Sequence, residues 1–235
     1  MSLTLTQDDN TALFRKAWTL YDTISEKNYM FHREIYAQVA DLLRQRHAQG
    51  PYHILDLGCG NARFLAPCLQ AAPPETYDGV DLSASALEEA RGYLKGIANA
   101  GLHHKDMLHA VENADTAFDI IFTGFAVHHL DAEGKQRLLT ACAERLAPGG
   151  SLIMVDVLRE EGQTREQYMD GYLGFMRTQW TEVVPDQLAE ACAHVEAYDF
   201  PETLTDLTSM AKQAGLSQTE VVGQFYRHYV LRFTV

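Results

Sequence analysis

"HILDLGCGNARFLAPCL", residues 53–69, changes character halfway along. His53 to Leu57 reads as a short buried strand. Gly58-Cys59-Gly60 interrupts it, and from Arg63 to Gln70 the apolar residues recur at helical spacing. A strand that runs through a glycine pair into a helix lets a ligand approach the backbone closely. The ligand is a dinucleotide, a nucleotide phosphate or something else, and the residues around the loop have to decide.

Outward from this stretch, strands and helices alternate. "YDGVDL" (77–82) is a second strand, Ser83 an N-cap, and Ala84 to Lys95 a helix. A third strand ends near "HHKDML" (103–108). "FDIIFTGF" (118–125) is a fourth, followed by a helix from Ala132 to Leu146, an "APGG" turn and a fifth strand, "SLIMVDV" (151–157). Such alternation specifies a parallel sheet covered on both faces. Before it, Phe14, Ala17, Trp18 and Tyr21, and then Ile35, Val39, Leu42 and Leu43, mark helices that stop near Gln49-Gly50-Pro51. After Val157 the alternation breaks. Glu160 to Tyr198 reads as two inserted helices, Thr203 to Ala214 as another, and 219–224 and 227–233 as two closing strands. The expected organisation is a helical N-terminal segment (1–50) and an α/β domain (51–235) carrying a helical lid (159–199).

The ligand question narrows on three acids. A dinucleotide fingerprint needs G-x-G-x-x-G, but Arg63 stands at the third glycine, and no Lys-Ser/Thr pair follows as in a P-loop. Asp56, just before the loop, would repel a pyrophosphate and suits an ammonium. Asp81 ends the second strand, where a carboxylate accepts from both ribose hydroxyls, as it also does in NAD sites. Asp106 is placed to accept from an adenine amino group. Together these acids describe a nucleoside bearing a zwitterion.

In these motifs the chain resembles the class I S-adenosylmethionine-dependent methyltransferases. "ILDLGCGNARF", "YDGVDLSASALEEAR", "KDM", "FDIIFTGFAVHHL" and "LAPGGSLIMVD" follow that family's motifs in order and spacing, over residues 53–156. The resemblance implies a Rossmann-like, seven-stranded sheet flanked by helices, with a reversed final hairpin. It implies that Asp56, Gly58, Cys59 and Gly60 line the methionine part of S-adenosylmethionine, and that S-adenosylhomocysteine is the product. Asp81 would bind the ribose, with Leu82, Asp106 and Met107 around the adenine. Thr123, Gly124 and Phe125 would lie beneath the cofactor on the substrate side. In relatives, aromatic and basic residues before the first core strand close over the cofactor; here Tyr21 and Arg33 are the candidates, with Tyr29 on the substrate side.

For catalysis, a sulfonium-borne methyl group needs an aligned acceptor more than an acid–base triad. His128 and His129 are the candidate bases if the acceptor is a hydroxyl; the competing reading makes them loop or helix-start residues. Tyr168, Tyr172, Phe175, Met176 and Trp180 form an apolar stripe in the insertion, either ordinary packing or the wall of an apolar substrate pocket.

The net charge of -13 argues against a nucleic-acid partner and leaves a small organic molecule as the expected acceptor. A protein acceptor, an NAD-dependent oxidoreductase and a non-catalytic cofactor-binding module are the alternatives. Cys59, Cys68, Cys142 and Cys192 form no CxxC pair, so neither a disulfide framework nor a zinc site is expected. The opening residues carry no signal-peptide pattern and no apolar run spans a bilayer, so the expected location is the cytoplasm, away from membranes.

Overall fold

A computed structural model describes residue 20 and residues 23–235. The expected stripe of Phe14, Ala17, Trp18 and Tyr21 lies outside the described residues. The chain divides into two units, one of residues 33–163 and 200–235, the other of 164–199 with the residues up to 32.

The larger unit is built on seven strands: β1 (His53–Leu57), β2 (Thr76–Asp81), β3 (Ala100–His104), β4 (Phe118–Gly124), β5 (Leu146–Val157), β6 (Gln218–Phe225) and β7 (His228–Thr234). Their order is β3-β2-β1-β4-β5-β7-β6. β1 lies between β2 and β4, parallel to both, so the chain reverses its direction of growth beside β1. That switch point puts the β1 loop where open sheets bind ligands. β7 runs antiparallel between β5 and β6, which a classic all-parallel dinucleotide sheet does not have.

The helices of this unit are α1 (His32–His47, whose first residue falls in the other unit), α2 (Leu65–Ala71), α3 (Ala84–Tyr93), α4 (Met107–Glu112) and α5 (Ala132–Arg145). They are completed below by α8. Leu55, Leu57, Ile121, Leu139, Met154 and Phe233 are buried in the shared core. Ser83 caps α3 as expected, accepting the Ala86 N–H at 3.2 Å.

Two of the departures from the sequence reading have a clear backbone cause. α2 starts at Leu65 rather than Arg63, because Ala62 takes a left-handed conformation (φ 57°) that prolongs the loop. The "APGG" stretch is not a turn but part of β5. Leu146 already pairs with Phe118, and a register shift follows before Ile120 pairs with Ser151. Gly150 is required there: a Cβ would lie 2.9 Å from the carbonyls of Ala147, Asp119 and Phe118.

The smaller unit holds α6 (Arg165–Gln179) and α7 (Pro185–Tyr198), the two inserted helices. Thr164 and Gln167 form a capping box at the start of α6, and Pro185 opens α7. The chain then returns to the larger unit through α8 (Leu204–Gln213) and the β6–β7 hairpin. Among the described residues no helix is long and apolar enough to cross a membrane.

Candidate functional site

The glycine loop is fixed from beneath by β2. The N–H groups of Gly58 and Cys59 both donate to the Val80 carbonyl at 2.9 Å. The Gly60 N–H donates to Asp81 Oδ2 at 2.8 Å. All three loop amides are therefore spent, and a pyrophosphate, which needs them as donors, finds none here. Gly58 must be glycine: at φ 73° its Cβ would lie 2.7 Å from that of Ala126, in the segment following β4. Gly60, at φ 51°, faces open space.

Asp81 holds the loop with one oxygen and the Ser83 N–H with the other, at 2.7 Å. A carboxylate oxygen accepts twice, so each retains acceptor capacity for a hydroxyl. Leu82 beside it is 68% exposed, an apolar surface next to a polar anchor. Asp106 is exposed and uses Oδ1 to cap α4 through the His109 N–H at 2.9 Å. Met107 follows it, its sulfur 3.8 Å from where a Gly58 Cβ would stand.

Asp56 lies buried beneath the loop, 1% exposed. The Tyr77 hydroxyl donates to its Oδ2 at 2.7 Å, while Oδ1 has no partner. Burial pushes its carboxyl up to about 7, against the Tyr77 hydrogen bond, and the Asp81 charge adds to the rise. An orphaned buried acceptor with a raised proton affinity fits a cationic or donor group above it. Burial, with the charges of Asp56 and Asp81, also pushes the Cys59 thiol up, away from thiolate chemistry.

The other half of the site lies at the ends of β4 and β5. Thr123 is wholly buried and its hydroxyl has no partner, so it presents no surface to a ligand. Gly124 and Phe125 are half-buried. A Cβ on Gly124 would lie 3.0 Å from the Tyr36 hydroxyl, so α1 packs tightly here. Phe125 is held left-handed (φ 56°), its N–H on the Val155 carbonyl at 2.8 Å and its ring edge-on to His228 at 5.9 Å. His228 is wholly buried, which lowers its imidazole to about 4 and keeps it neutral.

One 3-10 turn, Val127–His129, holds both histidines. His128 is buried and His129 exposed. Asp156, buried near the end of β5, accepts the His128 main-chain N–H at 3.0 Å and pairs with its Nδ1 at 2.5 Å. It also accepts the Val157 N–H at 2.8 Å. Burial alone would raise its proton affinity, but the His128 charge and these hydrogen bonds outweigh burial and hold its carboxyl below the ordinary aspartate range. An ionised carboxylate only accepts, so Nδ1 of His128 carries the proton.

Of the residues singled out in the sequence, Asp56, Gly58, Cys59, Gly60, Asp81, Leu82, Asp106, Met107, Gly124, Phe125, His128 and His129 gather at the carboxyl ends of the strands in the larger unit. Arg33 lies exposed in the first turn of α1. Tyr21 is outside the described residues. Tyr29 and the α6 stripe belong to the smaller unit. There Tyr29 stacks on Trp180 at 5.8 Å, and its hydroxyl accepts the Glu182 N–H at 3.0 Å. Tyr168, Tyr172, Met176 and Trp180 are buried, with Tyr168 stacked on Tyr172 at 5.3 Å. Phe175 is half-buried. Sequence reasoning missed Tyr77, Ala126 and Asp156. Asp156 had a signal, as the one acid inside the apolar run "SLIMVDV".

Residues 54–150 match a family model described as a methyltransferase domain. The malonyl-[acyl-carrier protein] O-methyltransferase of Halalkalibacterium halodurans is 31% identical over 121 residues, 50% of this chain and 44% of that protein. The carboxy-S-adenosyl-L-methionine synthase of Aeromonas salmonicida is 28% identical over 170 residues, 69% of this chain and 67% of that one. An O-methyltransferase family protein from Burkholderia thailandensis shares the fold with a TM-score of 0.64 at 16% identity, over 99% of this chain and 63% of its own. The chain thus spans from under half to about two thirds of the proteins it resembles. The family match, the methyltransferase relatives and the shared fold together support a class I S-adenosylmethionine-dependent methyltransferase.

Proposed function

We propose that the chain transfers a methyl group from S-adenosylmethionine to a small organic acceptor, by in-line displacement and mainly by positioning. The observation that carries this reading is the loop Gly58–Gly60, its amides spent on β2, beside the orphaned Oδ1 of Asp56. Asp56 and the loop would hold the methionine part of the cofactor, with Cys59 part of that loop. Asp81 would hold the ribose, and Leu82, Asp106 and Met107 the adenine. Gly124 and Phe125 would border the acceptor.

S-adenosylmethionine, when bound, supplies a methyl group already activated by its sulfonium. Alignment of an acceptor by these residues is worth about 7–11 kcal/mol of the barrier. A hydroxyl acceptor passes its proton to the exposed imidazole of His129, while His128, fixed on Asp156, holds the turn. The O-methyltransferase names among the relatives support an oxygen acceptor. The net charge of -13 disfavours RNA or DNA as substrate. Arg33 is a partner for the cofactor carboxylate.

Calorimetric titration with S-adenosylhomocysteine tests the cofactor. Methyl-labelled S-adenosylmethionine, offered with small phenols and organic acids, with protein and with tRNA, tests the acceptor. Label in a small molecule is the expected result. Label in protein selects the protein-acceptor alternative, and binding without transfer selects a non-catalytic module. Binding of NAD instead selects an oxidoreductase. His129→Ala should abolish turnover on a hydroxyl acceptor and leave S-adenosylhomocysteine binding intact.

A further inference from the structure

Lys135, in the first turn of α5, is 2% exposed, and a lysine is almost never so buried without a partner. Its ammonium donates to the Phe200 carbonyl and, at 2.9 Å, to Glu202 Oε1. The Phe200 N–H in turn donates to the His128 carbonyl at 2.7 Å. Phe200 is therefore a bridge, tied to Lys135 through its oxygen and to the histidine turn through its nitrogen. Arg159 secures Glu202 from the other side: its N–H donates to the Glu202 carbonyl at 2.9 Å, and its guanidinium to Oε2 at 3.5 Å. One narrow cavity is lined by all four ionisable groups, Lys135 and Glu202, His128 and Asp156.

Packing alone does not call for a charge at position 135. A methionine would fill this volume without the desolvation that a buried ammonium suffers, and buried ion pairs contribute little to stability when compared with apolar residues of similar size. What a directed ammonium adds is geometry. We propose that Lys135 and Glu202 are a positioning pair for the histidine turn: they fix Phe200, and through it the main chain of His128, so that the His128 ring meets Asp156 and His129 stays exposed. The proposal rests on the reading of His129 as the proton acceptor. It adds to that reading two residues that touch neither cofactor nor acceptor.

The test is the double variant Lys135→Met with Glu202→Gln, which leaves no uncompensated charge. Three quantities are measured: the thermal midpoint, the affinity for S-adenosylhomocysteine, and the histidine resonances by NMR. The proton on Nδ1 of His128, buried against a carboxylate at 2.5 Å, should give a far-downfield signal in the native protein. We expect the midpoint and the affinity to be unchanged, the downfield signal moved from its native position but still present, and the His129 ring resonances displaced. A downfield signal that persists at its native position overturns the proposal. So does its outright loss, or a fall in the midpoint or the affinity, since a merely structural pair would act that way. Failure of the native protein to bind S-adenosylhomocysteine counts against the methyltransferase reading alone and leaves the NMR result decisive for the pair.

Discussion

Asp56 and Asp156 lie near the carboxyl ends of β1 and β5, both buried, and they hold their protons in opposite ways. Asp156 is electrostatically complete: two main-chain N–H groups and an imidazole meet its oxygens. Asp56 has one hydroxyl donor and an oxygen with none. Burial is the same for both, so the neighbouring charges and donors decide. The β4–β5 side is finished by the protein itself, as a part that must not move needs to be. The β1–β2 side leaves an acceptor unmet, and under the proposed function that acceptor would face the ammonium of the cofactor.

The contrast breaks first at Asp156. Asp156→Ala strands the His128 ring and should cost about 3–5 kcal/mol of stability near neutral pH. Urea unfolding measures it; a loss under about 1 kcal/mol would mean that the imidazole is not held by this carboxylate. Because the Asp156 carboxyl is depressed, its contribution is present above the ordinary aspartate range and disappears only as pH falls below it.

On the β2 side the largest effect is on binding. Asp81→Ala should weaken S-adenosylhomocysteine affinity by about 1.5–3 kcal/mol, roughly ten- to a hundredfold, by removing a charged acceptor. The same variant frees the Gly60 and Ser83 amides, so loop protection against hydrogen exchange should fall too. Unchanged affinity would sink the ribose assignment. Gly58→Ala should cost about 1–3 kcal/mol of stability, since its Cβ meets Ala126 and its φ is left-handed. A crystal structure with the loop unmoved would contradict this.

The smallest effect carries the sharpest sign. Asp56 holds its proton more tightly folded than unfolded. Its contribution to stability is therefore greatest at pH below about 4 and is lost as pH rises toward about 7. Asp56→Asn keeps an acceptor for Tyr77 and removes the titration. Its melting temperature should exceed the native value by a few degrees at pH 8, where each kcal/mol is worth about 2–4 °C. Cofactor affinity should rise with pH across about 7 in the native protein and be flat and weaker in the variant. A native affinity independent of pH would separate Asp56 from the ammonium.

Much of the β1–β2 side was legible in the sequence because it is made of backbone. Gly58 and Gly60 supply the left-handed backbone that the loop needs, with acids at 56 and 81 on either side, so "HILDLGCGNARF" announces strand, loop and ligand together. Ser83 was legible for the same reason, since a cap acts within three residues. The "APGG" stretch misled because its glycines read as a turn, whereas they let β5 run past β4 with a register shift. The β4–β5 side was half legible. The histidine pair is visible, but which of the two is buried is not, because both stand in one 3-10 turn. The aromatic stripe of α6 was visible as a stripe, and only its burial showed how much of it packs.

The amino-acid sequence by itself determined the alternation of strands and helices, the sheet they form and the kind of ligand the first loop excludes. Those properties follow from local periodicity and from backbone freedom at a few glycines. Only the tertiary structure decided that Tyr77 completes half of Asp56, that Asp156 takes His128, and that Lys135 reaches Phe200 and Glu202. These partners lie 21, 28, 65 and 67 residues apart. No local rule relates side chains at such distances; they meet because a buried charge or donor must find a partner once the sheet has closed over it.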